Sequence, residues 1–600
     1  MGWLIAVAAN LGLLGAAWIC GRPARCLREL PLAPGEEVAL RLLAGIGFLG
    51  LGLFVIGQVY FTPVLGIGIL AAGGSAVFLP GFRAGVVAAL RVFGTSWAGR
   101  FSLAILAFLF VAGLAEPVGP SGHDGIAYHL LGPKVWLREG RIGVVLDYFA
   151  CTYPSTIEMM FGVLMPAGPR GACAFGAVLA AAFLLQLHGL ARLLGAGEST
   201  GGLAMAAIVA MPVVTVHSIS AFVDLPFAAF ALAAIRLGLV STRPAHMLMT
   251  GCFLGFCAGT KYAGLIVIAV TLPTLAIAAI RHGECRLIRG ITGAGVLAVL
   301  IGCPWYLRNW YWLGTPIYPP PVLGDVFKPR GMPPESLRAF LSYTLNERGR
   351  GMGRSMLDFA LLPFRLTYFT ANFHGAGGIG LLPLGFGWLG LWLARHQHAA
   401  RMLAVWAGLL TAAWFITQQE ARFLIHAIAV AGMFGAVGAA TALWDGDRLL
   451  RGLTTVVIGV SLAYGAVSLF IQHADAIRAV VSPSFALERH RKLVPYSDAF
   501  DYLNQAEGVR SILILDYWVP PYYLDRPYVK PIGAYGVFPI EGIRTGRDAV
   551  QGARRLGVSH VLDVRVPGDA AGGPSDFVVR PEDGFTLVFA TDDSRIYAVK

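Results

Sequence analysis

Apolar runs about as long as a membrane crossing recur along most of this chain, separated by short polar stretches. About 20 mostly apolar residues cross a bilayer as a helix. Fourteen segments fit that template: roughly 2–20, 38–58, 61–80, 101–116, 172–194, 201–218, 221–240, 247–262, 263–281, 290–306, 377–395, 402–417, 422–443 and 452–472. The pattern predicts an all-α polytopic membrane protein. Beyond residue 485 the period changes. VRSILILDYW, SHVLDVRV and FTLVFATDDSRIYAVK read as strands, and SDAFDYLNQA and GRDAVQGARRLG as helices. They predict a small C-terminal α/β domain outside the membrane, over 485–600. The remainder divides into N-terminal transmembrane helices (1–100) and a membrane core (101–475) with two long polar loops, 116–158 and 307–376.

Composition agrees: 56% hydrophobic and 13% charged residues exclude an ordinary soluble protein. A formal charge of +12 raises the question of nucleic acid, but its distribution answers it. Arg22, Arg25 and Arg28 follow the first span, and Arg83, Arg91 and Arg100 the third. Arg192 follows the fifth, Arg236 and Arg243 the seventh, and Arg281, Arg286 and Arg289 the ninth. Arg395 and Arg401 follow the eleventh, and Arg448 and Arg451 the thirteenth. All fall on one side, the cytoplasmic one by the positive-inside rule. No nucleic acid partner is expected. The two long loops and the C-terminal domain then face the periplasm or exterior of a bacterial inner (cytoplasmic) membrane. MGWLIAVAANLGLLGAAWIC has no basic leader and no small-residue cleavage site, so it reads as a first span. The eight cysteines are scattered singly, without disulfide or metal spacing.

The first long loop, EPVGPSGHDGIAYHLLGPKVWLREGRIGVVLDYFACTYPSTIE, is rich in aromatic and charged residues. Loops this long in compact proteins are functional or disordered, and this composition is not that of disorder. Within it PSTIEMMFGVLMPAG is apolar but short, the pattern of an interfacial or re-entrant helix. In the second loop, ESLRAFLSYTLNERGRGMGRSMLDFALLPFRL alternates apolar and basic residues at helical spacing. That suits an amphipathic helix on lipid headgroups, or a mobile cover over a lipid-linked substrate.

Several ionisable groups fall near the outer ends of spans: Asp124, Asp224, Lys261, Arg308, Glu420 and Arg422. Charges at this depth face a bundle interior or a wet cavity. Each has a plain reading alone: Lys261 as a snorkelling side chain, Asp224 as a helix cap. Their coincidence at one level suggests a cavity that holds an anion beside a base. A phosphate on a lipid tail suits it, because Arg offers a fork of donors and Lys a point charge. A neighbouring carboxylate would take the proton of an incoming hydroxyl.

HDGIAYHLLGPKVWLREGRI followed by CTYPSTIEMM resembles the GT-C glycosyltransferases, in their protein O-mannosyltransferase and lipid A aminoarabinose transferase branch. VDLPFAAFAL, GTKYAGL, PWYLRNWYWLGTPIYP and EARFL add to the likeness, which covers roughly residues 100–440. The resemblance implies an inverting membrane enzyme that moves a sugar from a polyprenyl phosphate to a hydroxyl or amine on a glycan, lipid or protein acceptor. It implies Asp124 as general base, with Arg308, Lys261 and Arg422 as phosphate contacts. His123, Tyr128, His129, Tyr153, Glu158, Asp224 and Glu420 would line the pocket. The acidic–Lys pair of some relatives is replaced here by Ala150, Cys151, Thr152 and Tyr153, and His123 precedes Asp124 where others have a second acid. A divalent metal is therefore left open, with Asp124, His123 and Glu158 as candidates. The rival classes are a polysaccharide polymerase or ligase, and a transporter or flippase. A transporter would place its site at midplane between repeated halves, and no repeat is visible.

Overall fold

The computed structural model describes residues 2–115, 123–145, 148–320, 329–330, 337, 341–342, 351–373, 378–515, 519–530, 546–564 and 584–599. Each of the fourteen predicted apolar segments falls on a helix. Among the described residues nine helices are long and apolar enough to cross a membrane, or eleven if each of two bent pairs is one span. The chain is a multi-pass membrane protein.

The departures from expectation have local causes. The predicted 201–218 span is broken, with Glu198–Val209 and Pro212–Ile219 meeting at 72°. Pro212 lacks an amide hydrogen and drives Met211 to extended backbone (φ −75, ψ 125), so the helix restarts rather than continues. Pro80 does the same after Pro63–Phe78, and the stretch carrying Arg83 and Arg91, expected as a loop, is the helix Pro80–Gly94 at 79° to it. Arg236, expected in an exposed basic loop, is instead buried in the helix Asp224–Val240 and paired with buried Glu36 at 2.6 Å. The other arginines of the positive-inside count are exposed. The short apolar segment after Tyr153 forms a helix, Glu158–Leu164, buried along its whole length. Of the expected amphipathic helix in the second loop, two short pieces are described, Met356–Ala360 and Leu362–Tyr368. Met356, Leu357, Phe364 and Tyr368 are exposed on them. The rest of that segment lies largely outside the described residues.

Small residues let the spans approach closely, as is usual in bilayers. Where Leu381–Ala394 crosses Ile425–Asp445, a Cβ on Gly390 would lie 1.9 Å from the Phe434 carbonyl oxygen. Only glycine fits there. The last membrane helix, Arg448–Val481, has 34 residues. At 1.5 Å per residue it is about 51 Å long, longer than a hydrocarbon layer of about 30 Å.

Beyond it lies a five-stranded sheet of order β2-β1-β3-β5-β4: β1 Ile512–Ile514, β2 Tyr528–Val529, β3 His560–Val564, β4 Phe585–Ala590 and β5 Ser594–Val599. β1 pairs in parallel with β2 and β3, while β5 runs antiparallel to β3 and β4. Alternation along β1 sends Ile512 and Ile514 to one face, against Phe500 and Leu503 of the helix Ser497–Gln505. Leu513 points to the other, with Val550 and Ala553 of the helix Gly546–Arg555. Both faces are thus covered.

Candidate active site

Asp124 stands at the start of a π-helical turn, Gly125–His129, closed by a bond from Leu130 N to the Gly125 carbonyl at 2.8 Å. Such turns often mark functional sites. The turn carries Tyr128 round so that its hydroxyl donates to Asp124 Oδ2 at 3.1 Å. Arg422 Nη1 donates to the same oxygen at 2.6 Å. No described residue donates to Oδ1. Burial pushes the Asp124 carboxyl up, but Arg422 above all, then His129 and His123, outweigh it and hold the group down to about 2. Tyr128 is pushed well above the usual phenol range, by burial first and then by the Asp124 carboxylate.

Arg422 lies in a short helical turn, Ala421–Leu424, between two spans. Its Nε donates to Glu420 Oε2 at 2.8 Å, while Glu420 Oε1 accepts from Gln418 at 2.6 Å. Asp224 is the first residue of the helix Asp224–Val240, whose cap position is Val223. Asp224 Oδ1 accepts from Lys261 Nζ at 2.6 Å. Lys261, the residue after Pro244–Thr260, turns inward over the Phe423 ring at 4.0 Å rather than out to the headgroups. Arg422 lies 5.0 Å above the same ring and acts electrostatically on Asp224. Asp124, Arg422, Glu420, Asp224 and Lys261 thus form one cluster, drawn from four separate stretches of chain. The side chains of Asp124 and Arg422 each keep 22% of their surface open, and Lys261 17%. The cluster is covered but reachable.

The structure places the other expected residues elsewhere. Arg308 is buried, with Nη2 donating to the Thr152 carbonyl at 2.5 Å and to Asn309 Oδ1 at 2.9 Å, and it touches none of Asp124, Arg422 or Lys261. Asn309 also donates to Thr152 and to the Tyr262 hydroxyl, so the pair braces the turn that presents Tyr153. Tyr153 packs edge-on against Tyr262 at 5.1 Å and near Tyr128 at 6.3 Å. His129 and Glu158 form a buried pair of their own, Nδ1 to Oε1 at 2.7 Å. His123 is exposed. Among the described residues, no three of His, Cys, Asp and Glu gather to hold a metal, and Glu158 is engaged by His129. The candidate set Asp124, His123 and Glu158 therefore does not form one site.

Two features escaped the sequence reading. His217 lies beside the cluster, its ring 5.2 Å from Phe222, which sits 5.9 Å under the Arg422 guanidinium. A lone histidine inside TVHSI was its only signal. The second is a contact from the C-terminal end. Lys134 Nζ donates to the Tyr522 carbonyl at 2.5 Å and to Asp525 Oδ1 at 2.7 Å. Buried Lys530 stands 5.5 Å over the Tyr148 ring, and that ring stacks on Tyr128 at 5.9 Å.

No protein-family model matches the chain, and no curated protein matches it in sequence. Among solved structures it is similar to ArnT from Cupriavidus metallidurans bound to undecaprenyl phosphate, with a TM-score of 0.53 and 14% identity, over 83% of this chain and 97% of that one. The apo state of the same protein gives a TM-score of 0.51 at the same identity and coverage. ArnT is a lipid A aminoarabinose transferase, a GT-C glycosyltransferase. The sequence likeness pointed to the same branch. The chain has an ArnT-like fold, that of a polytopic membrane protein with a small sheet at its C-terminal end.

Proposed function

We propose that this protein is an inverting glycosyltransferase at the outer face of a bacterial cytoplasmic membrane, moving a sugar from a polyprenyl-phosphate donor to a hydroxyl-bearing acceptor. The observation that carries the reading is the state of Asp124: one carboxylate oxygen fixed by Arg422 and Tyr128, the other with no donor among the described residues, on a fold whose solved neighbour is bound to undecaprenyl phosphate. The acceptor oxygen attacks the anomeric carbon as the bond from that carbon to the phosphate oxygen breaks. The acceptor's proton passes to Asp124 Oδ1, and the bond's electron pair leaves on polyprenyl phosphate. In this reading Arg422 and Lys261 meet the phosphate and stabilise charge as it grows there. Arg308, whose Nε and Nη2 serve Asn309 and Thr152 while its buried Nη1 has no partner among the described residues, is assigned to bracing the Tyr153 turn.

Purified protein incubated with radiolabelled polyprenyl-phosphate sugars, with and without EDTA, tests the reading. Release of polyprenyl phosphate supports it. Movement of intact donor across a vesicle membrane without release would instead show a flippase. General base assistance contributes about 10²–10⁴-fold, so Asp124→Asn is expected to lower kcat by that factor while donor binding survives. A folded variant with wild-type turnover would remove Asp124 from the mechanism.

A further inference from the structure

Asp224 and His217 each leave one polar atom without a hydrogen-bond partner among the described residues: carboxylate Oδ2 and ring Nε2. The two residues are 2% and 5% exposed. They cannot satisfy one another as they stand. His217 Nδ1 is bonded to the Val213 carbonyl at 2.6 Å, which makes Nδ1 the protonated nitrogen and leaves a lone pair on Nε2. Asp224 Oδ2 is likewise an acceptor, and the bond from Lys261 goes to the other oxygen, Oδ1. Two buried acceptors near each other are costly unless a donor reaches them.

Their setting says where that donor comes from. Asp224 is one bond from Lys261 and within the field of Arg422, the two cations assigned to the phosphate. His217 feels Asp224, Arg422 and Lys261, and shares the Phe222 ring with Arg422. A group that presents hydroxyls there is joined directly to the phosphate. We propose that Asp224 Oδ2 and His217 Nε2 accept hydrogen bonds from hydroxyls on the sugar ring of the donor, and so select a hydroxylated sugar next to the phosphate. Rejection can be steep, because a donor lacking the hydroxyl leaves a buried acceptor unpaired. The proposal rests on the lipid-phosphate reading above.

The test is donor binding, read as the shift in Tm of the full chain in detergent and therefore independent of turnover. The probes are a polyprenyl-phosphate hexose and its 2-, 3- and 4-deoxy analogues. At least one analogue is expected to bind wild-type protein about tenfold more weakly. His217→Asn, which keeps a donor near Val213 but offers nothing at Nε2, should weaken the parent sugar by a similar factor and bind the critical analogue no worse than wild type does. His217→Gln, whose amide reaches the Nε2 position, should recover much of the loss. Equal weakening of parent and every analogue by His217→Asn would show a merely structural histidine and overturn the proposal. So would equal binding of all four sugars to wild-type protein. Sugar-dependent binding without release of polyprenyl phosphate would leave this site standing and count against the transfer reading alone.

Discussion

Arg422 decides the state of Asp124. With burial acting alone the Asp124 carboxyl would rise; Arg422 at 2.6 Å brings it to about 2. A carboxylate depressed in the folded state contributes stability above its unfolded value, lost as pH falls toward 2. In activity terms it is ionised through the whole working range. Arg422→Met leaves burial and removes the main opposing charge, so the carboxyl rises. The acid limb of kcat/KM is then expected to move to higher pH, and an unmoved limb would show that Asp124 is not the group being titrated. The ingredients of this pair were visible in the chain as isolated charges in apolar surroundings. The pairing was not, because Asp124 and Arg422 are 298 residues apart and hydropathy carries no information about partners. For the same reason Arg236 read as a surface arginine, although Glu36 neutralises it inside the bundle.

At the scale of elements, run length located the helices and proline set their breaks, at Pro80 and Pro212. Harder to read was the docking of the segment 519–530 on the first long loop. Tyr522 is buried in the main apolar core, with its hydroxyl donating to Met165 Sδ at 3.3 Å, although it belongs to the polar C-terminal end. Lys134 holds this segment mainly through backbone carbonyls. Its partner Asp525 is largely exposed, so that ion pair contributes little, on the order of 0–1 kcal/mol. Asp525→Asn should therefore be almost silent. Lys134→Met should speed amide exchange in both 519–530 and 131–139 and leave the membrane helices protected. Equal exchange in the two variants would show that the carbonyl bonds do not hold the segment.

For the molecule as a whole, the exposed arginines gather at the ends of spans that the positive-inside rule places in the cytoplasm. Native cysteines offer a direct check, since Cys26 and Cys285 are exposed on those same basic stretches. In intact spheroplasts a membrane-impermeant maleimide is expected to miss both, and to label a Leu587→Cys variant on exposed β4. The reverse pattern would invert the molecule and place the Asp124 cluster on the cytoplasmic side.

The bond between Lys134 and the Tyr522 carbonyl joins positions 388 residues apart. At a synthesis rate of 5–20 residues per second, about 20 to 80 s pass between the emergence of one and of the other. During that interval the loop bearing Asp124 is without the segment that packs against it. Completion of this wall around the Asp124 loop is thus timed by the ribosome, and a chain that stops short of Tyr522 would lack the segment that Lys134 holds.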